Sequence, residues 1–310
     1  MPRQIQIVSP PERSGSLLTR LQEMGGVIGT RLQKGASQQP PGDVISIDVL
    51  NSGMPEVCRL LADEGVGADG SSSFSTSEPR SLVQSSAAEA IARDTSEMSW
   101  EEIELAIGHQ SNMTINAMIV MFISGVIATI GIATNALHIV LGAMLIAPGF
   151  LPMVRVSLGI VAENDAWRRG LIDIFKGYAA LAAGAACATL LLIALDKPPL
   201  GEEASYLPAG TLISYWTSVT GPSVAVSVVS GVVGTILLAT GRSVLTAGVM
   251  VALALVPGAA LIGMGAVAGD LDTIAGGALR WAVDVAMVML TSLAVLFWKR
   301  RAVHKRPMMP

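Results

Sequence analysis

The 310-residue chain is poor in charged residues and in aromatic residues. Charged residues make up 14% of the chain, whereas soluble proteins carry about 25%. So few charges cannot cover the surface of a large soluble protein, which excludes that class. The mean hydropathy of +0.58 and the long apolar runs between residues 113 and 298 instead predict a polytopic membrane protein.

Cysteine and histidine are also scarce, which argues against several kinds of chemistry. The two cysteines, Cys58 and Cys187, are far apart and do not indicate a disulfide framework. Three dispersed histidines form no zinc-binding pattern, and no nucleophile signature is present. We therefore expect no metal, no cofactor and no enzyme activity. The net charge of −4, with basic residues scattered or beside apolar runs, argues against nucleic acid as a partner.

The first 78 residues read as a soluble head. Alternating apolar and polar residues predict half-buried strands, and helical patterns follow them. The resulting order predicts a ferredoxin-like α+β domain (βαββαβ). This head is either a small-ligand sensor or an assembly module, because the fold alone names no function. The predicted elements are strands at 4–8, 25–33, 44–50 and 67–75, helices at 16–24 and 55–65, and a hairpin loop at 34–43.

Residues 79–110 are predicted to be a linker followed by an amphipathic helix. Ser99 and Glu102 have the spacing of a capping box at a helix start. Trp100, Ile103 and Ile107 would then share one face, as in a helix lying at the membrane interface. An ordinary soluble linker helix is the alternative.

Residues 111–298 are long and apolar enough for six membrane spans, followed by a basic tail at 299–310. Between the third and fourth spans, residues 212–219 are a candidate short or re-entrant helix. The predicted spans are 113–133, 138–161, 170–195, 222–240, 243–267 and 274–298.

The distribution of lysine and arginine predicts the orientation of these spans. The N-terminus lacks the apolar stretch of a signal peptide, so we expect the head and both termini in the cytoplasm of a bacterial inner membrane. Lys197 alone lies in the connections on the other side. The cytoplasmic connections would carry Arg168, Arg169, Arg242, Lys299, Arg300, Arg301, Lys305 and Arg306.

The membrane part contains an internal repeat. Residues 124–144 align without a gap on residues 230–250, with nine identities in 21 positions. The repeat units are about 113–195 and 222–298, and each holds three spans. Because three is odd, the second unit must cross in the opposite direction, as in transporters built from inverted repeats. Gene duplication without transport is the alternative.

Each repeat unit has a proline–glycine interruption in its second span. Matching interruptions of this kind point to a binding site near the bilayer midplane, although prolines also kink membrane helices for packing alone. Asn116 is a further polar candidate, with helix packing as its alternative role. The residues predicted for a binding or translocation path are Pro148, Gly149, Pro152, Pro257, Gly258 and Asn116.

Charged side chains inside the spans are few. Arg280 and Asp284 have the i, i+4 spacing of a helical ion pair and are the best candidates for coupling or gating. Arg155 and Asp173 are further candidates for a buried or gating charge. Arg155 and Lys176 are close enough to the cytosol for simple snorkelling.

The stretches at 124–153 and 248–265 resemble bacterial integral membrane proteins with an uncharacterised hydrophobic domain, domain of unknown function 389. The motif GAMLIAP at 142–148 is the most specific part. The resemblance implies an N-terminal α/β head joined to a hydrophobic helical domain, and no substrate or catalytic residue. The chain differs from the expected pattern at Pro257-Gly258, where a double proline is expected, and at Arg280 and Asp284, where an asparagine is expected.

Two functional hypotheses follow from the sequence. The first is a homo-oligomeric transporter or channel for an unidentified small solute or ion, modulated by its cytosolic head. The second is a non-transporting sensor or scaffold in the lipid bilayer, whose head binds a small ligand or a partner.

Overall fold

The computed structural model describes residues 2–67, 70–77, 79, 82, 84–94, 98, 100–195, 211–241 and 253–303. The chain divides into two compact units, Met1–Ile103 and Glu104–Pro310.

The first unit contains a four-stranded antiparallel sheet and two helices. The strands are β1 (Arg3–Ser9), β2 (Val27–Gln38), β3 (Pro41–Val49) and β4 (Ser73–Ser77), in the spatial order β2-β3-β1-β4, and the helices are α1 (Pro11–Gln22) and α2 (Met54–Asp63). Alternate residues of β1 and β3 are fully buried and pack with the apolar residues of both helices. Each predicted strand and helix of the head overlaps an observed one, although α1 begins five residues before its predicted start and β4 six residues after its predicted start.

The predicted hairpin loop at 34–43 was wrong, because most of this segment is strand. β2 continues to Gln38 and β3 begins at Pro41. Gly35 adopts a φ of +60°, and the pairing register of β2 and β3 shifts between Gln33 and Ser37. The glycine therefore lies at an irregularity of the hairpin. The Asp43 carboxylate accepts hydrogen bonds from the Ser14 hydroxyl (2.6 Å) and the Gly35 backbone N–H (2.8 Å). These two bonds hold the pKa of Asp43 below its usual value.

The segment after the sheet packs within the first unit, where a linker and an interfacial helix were predicted. It contains α3 (Ala88–Arg93) and the start of α4 (Trp100–Gln110). Trp100 is buried, and Glu102 forms an ion pair with Arg3 (3.2 Å). This ion pair joins the start of α4 to the first strand of the head. Ser99, the predicted cap, lies outside the described residues.

The second unit is entirely helical in its described part. Among the described residues, four helices are long and apolar enough to cross a membrane, and the helix pair Leu137–Ile146 and Leu151–Ala162, bent by 43°, is a fifth candidate span. These apolar helices indicate a membrane protein. The bounds are α5 (Ile115–Ala133), α6 (Leu137–Ile146), α7 (Leu151–Ala162), α8 (Ala166–Ala194), α9 (Thr211–Thr217), α10 (Gly221–Ala239), α11 (Leu255–Ala268) and α12 (Leu271–Trp298), with a π-helical turn at Lys299–Val303.

Of the fifth predicted span, 243–267, only the part after residue 252 lies within the described residues, as α11. The same limit applies to part of the aligned repeat, residues 242–250. It also applies to the loop and tail cations Lys197, Arg242, Lys305 and Arg306. The candidate short helix at 212–219 overlaps the observed helix Thr211–Thr217.

Helices α5 and α8 pack backbone to backbone through glycines. A Cβ atom at Gly125 would lie 2.0 Å from the Leu181 carbonyl oxygen, and one at Gly184 would lie 2.0 Å from the Phe122 carbonyl oxygen. Small residues at helix contacts are typical of membrane proteins, where lipid leaves no hydrophobic force between helices.

The helices of the two halves of this unit begin and end at matching positions, 106 residues apart. α5 and α10 are both 19 residues long and begin at residues 115 and 221. α7 and α11 end at residues 162 and 268. N-cap threonines and residues of positive φ follow the same spacing, as the pairs Thr114/Thr220, Asn135/Gly241 and Glu163/Gly269.

Candidate functional site

The helix break in the first half lies where the two prolines predict it. α6 ends at Ile146 and α7 begins at Leu151, with Pro148 between them and Pro152 in the first turn of α7. Proline lacks the backbone N–H of a helix interior, but it fits well in a first turn. The prolines therefore end one helix and begin the next at an angle.

Residues of this break contact two other helices. A Cβ atom at Gly149 would lie 2.2 Å from the Tyr178 hydroxyl oxygen of α8, so only glycine allows this approach. Phe150 is buried and its ring lies against Gly234 of α10. The break is thus enclosed by helices from both halves of the unit.

Pro257 and Gly258 lie in the first turn of α11 and are buried. A Cβ atom at Gly258 would lie 3.4 Å from the Trp281 side chain and 3.2 Å from the Gly277 carbonyl oxygen. The chain before α11 is described only from residue 253. The predicted interruption is therefore observed as a helix start.

Arg280 and Asp284 form a buried ion pair in α12, with 3.3 Å between Nε and Oδ2. Asp284 lies in the middle of this 28-residue helix and is 1% exposed. Its carboxylate also accepts hydrogen bonds from the Ser227 hydroxyl (2.5 Å) and the Ala254 backbone N–H (3.1 Å). Because Ala254 is the N-cap residue of α11, the carboxylate lies at a helix N-terminus, where negative charge is stabilised.

The two proline–glycine regions are linked by an aromatic pair. The rings of Tyr178 and Trp281 are 5.3 Å apart in an edge-to-face arrangement. Tyr178 contacts Gly149 on one side, and Trp281 contacts Gly258 on the other. Buried polar atoms normally form hydrogen bonds. The Tyr178 hydroxyl and the Trp281 indole N–H are buried, yet neither has a hydrogen-bond partner among the described residues.

A cavity of about 370 Å³ lies beside the ion pair. Arg280 is the charged residue of its described wall, and it also donates to the Ser218 carbonyl oxygen (3.4 Å). The rest of the wall comes from α6, α9 and the residues before α11. These lining residues are Leu137, Leu141, Met144, Thr211, Leu212, Tyr215, Trp216, Leu253 and Ala254.

Arg155 and Asp173 form a second ion pair, in which Arg155 is buried and Asp173 is half-buried. Arg155 is 5% exposed, so it does not snorkel as the sequence suggested. Its guanidinium pairs with Asp173 (3.3 Å) and donates to the Asn112 side-chain oxygen (2.7 Å). Asn116, the predicted polar ligand, is exposed on the first turn of α5. The neighbouring Asn112 supplies the amide contact instead.

Sequence reasoning missed three side chains of the site: Tyr178, Ser227 and Trp281. The repeat offers one signal for finding Tyr178, because it lies 106 residues before Asp284 and so occupies the equivalent position in the first half. Ser227 is a common small polar residue in a membrane helix. Only the packing of α10 against α12 distinguishes it from other serines.

The contact between Gly149 and Tyr178 leads to a prediction. Gly149→Ala places a methyl group on the Tyr178 hydroxyl, and we expect a loss of about 1–3 kcal/mol of unfolding free energy from overpacking. Tyr178→Phe removes the hydroxyl and should partly rescue the alanine variant, because the ring carbon 2.9 Å away remains. Unfolding in mixed detergent micelles measures both effects. The contact would be contradicted if Gly149→Ala lowered the unfolding free energy equally in the wild-type and the Tyr178→Phe backgrounds.

Comparisons with known proteins give one match. The model of the family described as Domain of unknown function (DUF389) matches residues 144–290, from the last turn of α6 into α12. No curated protein and no solved structure matches the chain. The matched segment contains the break between α6 and α7, the aromatic pair and the Arg280–Asp284 ion pair. The helical part of this chain is thus similar to the DUF389 family over residues 144–290.

Proposed function

We propose that the helical unit is a transporter or channel for a small solute or ion. The observation that carries this proposal is the Asp284 carboxylate, buried at mid-helix against the N-terminus of α11 and paired with the arginine that lines the cavity. A charged side chain at the bilayer centre costs about 2.5–3.5 kcal/mol on insertion scales, and such residues commonly mark substrate or ion pathways.

The matching helix ends support an inverted repeat of three plus three spans, with six spans in total. If α5, the α6–α7 pair and α8 each cross the membrane, α10 enters from the opposite side to α5. The breaks at Pro148 and Pro257 would then occupy equivalent positions near the midplane. Transporters of this architecture bind substrate between broken helices of the two repeats.

The unpartnered polar atoms support a hydrated path between the repeats. The Tyr178 hydroxyl and the Trp281 indole N–H lie where the two proline–glycine regions meet. In a membrane, unsatisfied polar groups are tolerated where they line a water-filled cavity. We infer that water or a solute reaches these atoms during transport.

The strand order β2-β3-β1-β4, with helices after β1 and β3, supports a ferredoxin-like head that modulates the path. We further propose a homo-oligomer in a bacterial inner membrane. The distribution of lysine and arginine supports a cytoplasmic location of both termini.

Flux through proteoliposomes tests the proposal, with protons, potassium and chloride as the probes. Wild-type protein should pass at least one probe faster than empty liposomes. Asp284→Asn should lower that rate by about tenfold or more, equivalent to about 1.4 kcal/mol. Asp173→Asn is the matched control, because Asp173 also pairs with an arginine at 3.3 Å but outside the proposed path. Equal rates for both variants would contradict the assignment of Asp284.

Water access gives a readout that needs no substrate. In a chain without its two native cysteines, Ser227→Cys places a thiol beside Asp284, and Ser157→Cys places one at a buried contact with the Met289 carbonyl oxygen. Both serines are at most 1% exposed. A membrane-impermeant thiol reagent should label the first variant and spare the second. Absence of labelling at both positions would show dry packing and rule out a hydrated path there.

The second candidate is a non-transporting sensor or scaffold whose head binds a ligand or partner. The observation that favours it is β4, an edge strand exposed along its whole length, because an open edge can pair with another strand. No flux together with no labelling at Ser227→Cys would select this candidate.

A further inference from the structure

The C-terminal ends of α7 and α12 form an apolar groove of about 410 Å³. Its walls consist of Ile160 from α7 and Leu290, Leu293, Ala294 and Phe297 from α12. The groove is open to the surroundings, since Ile160 is 48% exposed, Leu290 57% and Phe297 40%. In a membrane, such a surface faces the acyl chains of lipids.

Charged residues lie at the end of this groove, just beyond the helix ends. Arg301 is exposed, and its guanidinium lies 4.3 Å from the centre of the Phe297 ring. Arg300 donates to the Val161 carbonyl oxygen and lies 3.5 Å from a Glu163 carboxylate oxygen. The Arg300 Nε is buried and has no acceptor among the described residues.

The charge balance at this end of the groove fits an anion of one unit charge. Two guanidinium groups, Arg300 and Arg301, face one carboxylate, Glu163. The balance is therefore +1, opposite to the charge of a phosphodiester. Arginine binds phosphate oxygens well because its planar guanidinium offers several donors at once.

The position of Trp298 indicates how deep the groove and the two arginines lie in the membrane. Its side chain is 57% exposed and lies between the groove residues and the two arginines along the chain. Exposed tryptophans at the ends of membrane helices are typical of the interface between lipid and water. The arginines then lie at the level of the headgroups, and the groove lies at the level of the acyl chains.

We propose that this groove is a binding site for an anionic phospholipid. The phosphate is held by Arg300 and Arg301, and one acyl chain lies against Ile160, Leu293 and Phe297. Basic pockets between membrane helices bind anionic headgroups by the same chemistry. The site is independent of the transport proposal, since it shares no residue with the cavity beside Arg280.

Native mass spectrometry of the full chain tests the site. The purified protein is incubated with equal amounts of phosphatidylglycerol and phosphatidylcholine, and the lipids retained on the protein are quantified. Wild-type protein should retain more phosphatidylglycerol than phosphatidylcholine. Arg301→Gln should weaken its retention about fivefold, which corresponds to about 1 kcal/mol for one cation near a lipid surface. Ala294→Trp, which fills the groove from an exposed position, should displace the lipid.

Arg168→Gln is the matched control, because Arg168 is also exposed and lies over an aromatic ring, Trp167, at 5.2 Å. It removes the same charge without touching the groove and should keep the wild-type preference. An equal loss in both arginine variants would overturn the site in favour of unspecific attraction. The site would also be overturned, in favour of a free anion, if inorganic phosphate displaced the phosphatidylglycerol while Ala294→Trp left its retention unchanged. A third result would overturn the site: the protein forms a dimer without bound lipid, and Ala294→Trp abolishes that dimer. A second copy of the chain would then occupy the groove.

Discussion

Arg280→Ala is expected to lower the unfolding free energy of the helical unit by about 3–5 kcal/mol. The substitution leaves the Asp284 carboxylate buried without its cation, and breaking one side of a buried ion pair has this cost. The Ser227 hydroxyl and the Ala254 N–H remain, but they cannot neutralise the charge. Reversible unfolding in mixed detergent micelles, followed by tryptophan fluorescence, gives the value.

A double-mutant cycle separates the ion pair from simple loss of side-chain volume. In an Asp284→Asn background, Arg280→Ala should cost much less, because no charge is left unpaired. The pair Arg155–Asp173 provides a matched cycle in the same unit, with the same 3.3 Å separation. Coupling energies near zero for Arg280 and Asp284 would show that the carboxylate is stabilised without the arginine.

The second large effect is expected at the contact between α5 and α8. Gly125→Ala and Gly184→Ala each place a Cβ atom 2.0 Å from a backbone carbonyl oxygen of the other helix. The backbone cannot rotate away as a side chain can, so the two helices must separate. We expect each variant to lose at least about 3 kcal/mol, at the upper end of overpacking effects, and to give little folded protein.

Two other glycines serve as graded controls. Gly231 is the position in α10 equivalent to Gly125, but its nearest neighbour would be the Thr291 side-chain oxygen, so Gly231→Ala should have a smaller cost. A Cβ atom at Gly142 would have no neighbour within 4 Å among the described residues, and Gly142→Ala should be neutral or stabilising by up to about 1 kcal/mol from helix propensity. Yields and melting temperatures in detergent measure the series. Similar losses at Gly125 and Gly142 would refute the close helix contact.

Local patterns predicted the elements well, and the failures have local causes. The predicted loop at 34–43 contains two glycines and two prolines, which commonly indicate turns. In the folded head these residues extend the hairpin, because Asp43 binds the Gly35 N–H and the Ser14 hydroxyl from a distant helix. Such long-range hydrogen bonds leave no mark on the local composition.

The candidate site was predictable where its residues are close in sequence. The i, i+4 spacing of Arg280 and Asp284 is a property of one helix, and the structure places them as a pair. The partner of Asp173 is Arg155, 18 residues away on another helix, rather than the exposed Lys176 three residues along. The rotation of α7 against α8 decided this pairing.

The sequence by itself determined the membrane character, the positions of the apolar helices and the break at Pro148. These properties follow from hydropathy, helix length and the missing proline N–H, and each acts over a few turns of one helix. Only the tertiary structure decided which polar groups meet. Tyr178, Trp281, Ser227 and the N-terminus of α11 come together because glycines at the contacts let their helices approach closely. Such packing depends on shape complementarity between distant segments, and no periodicity within one segment encodes it.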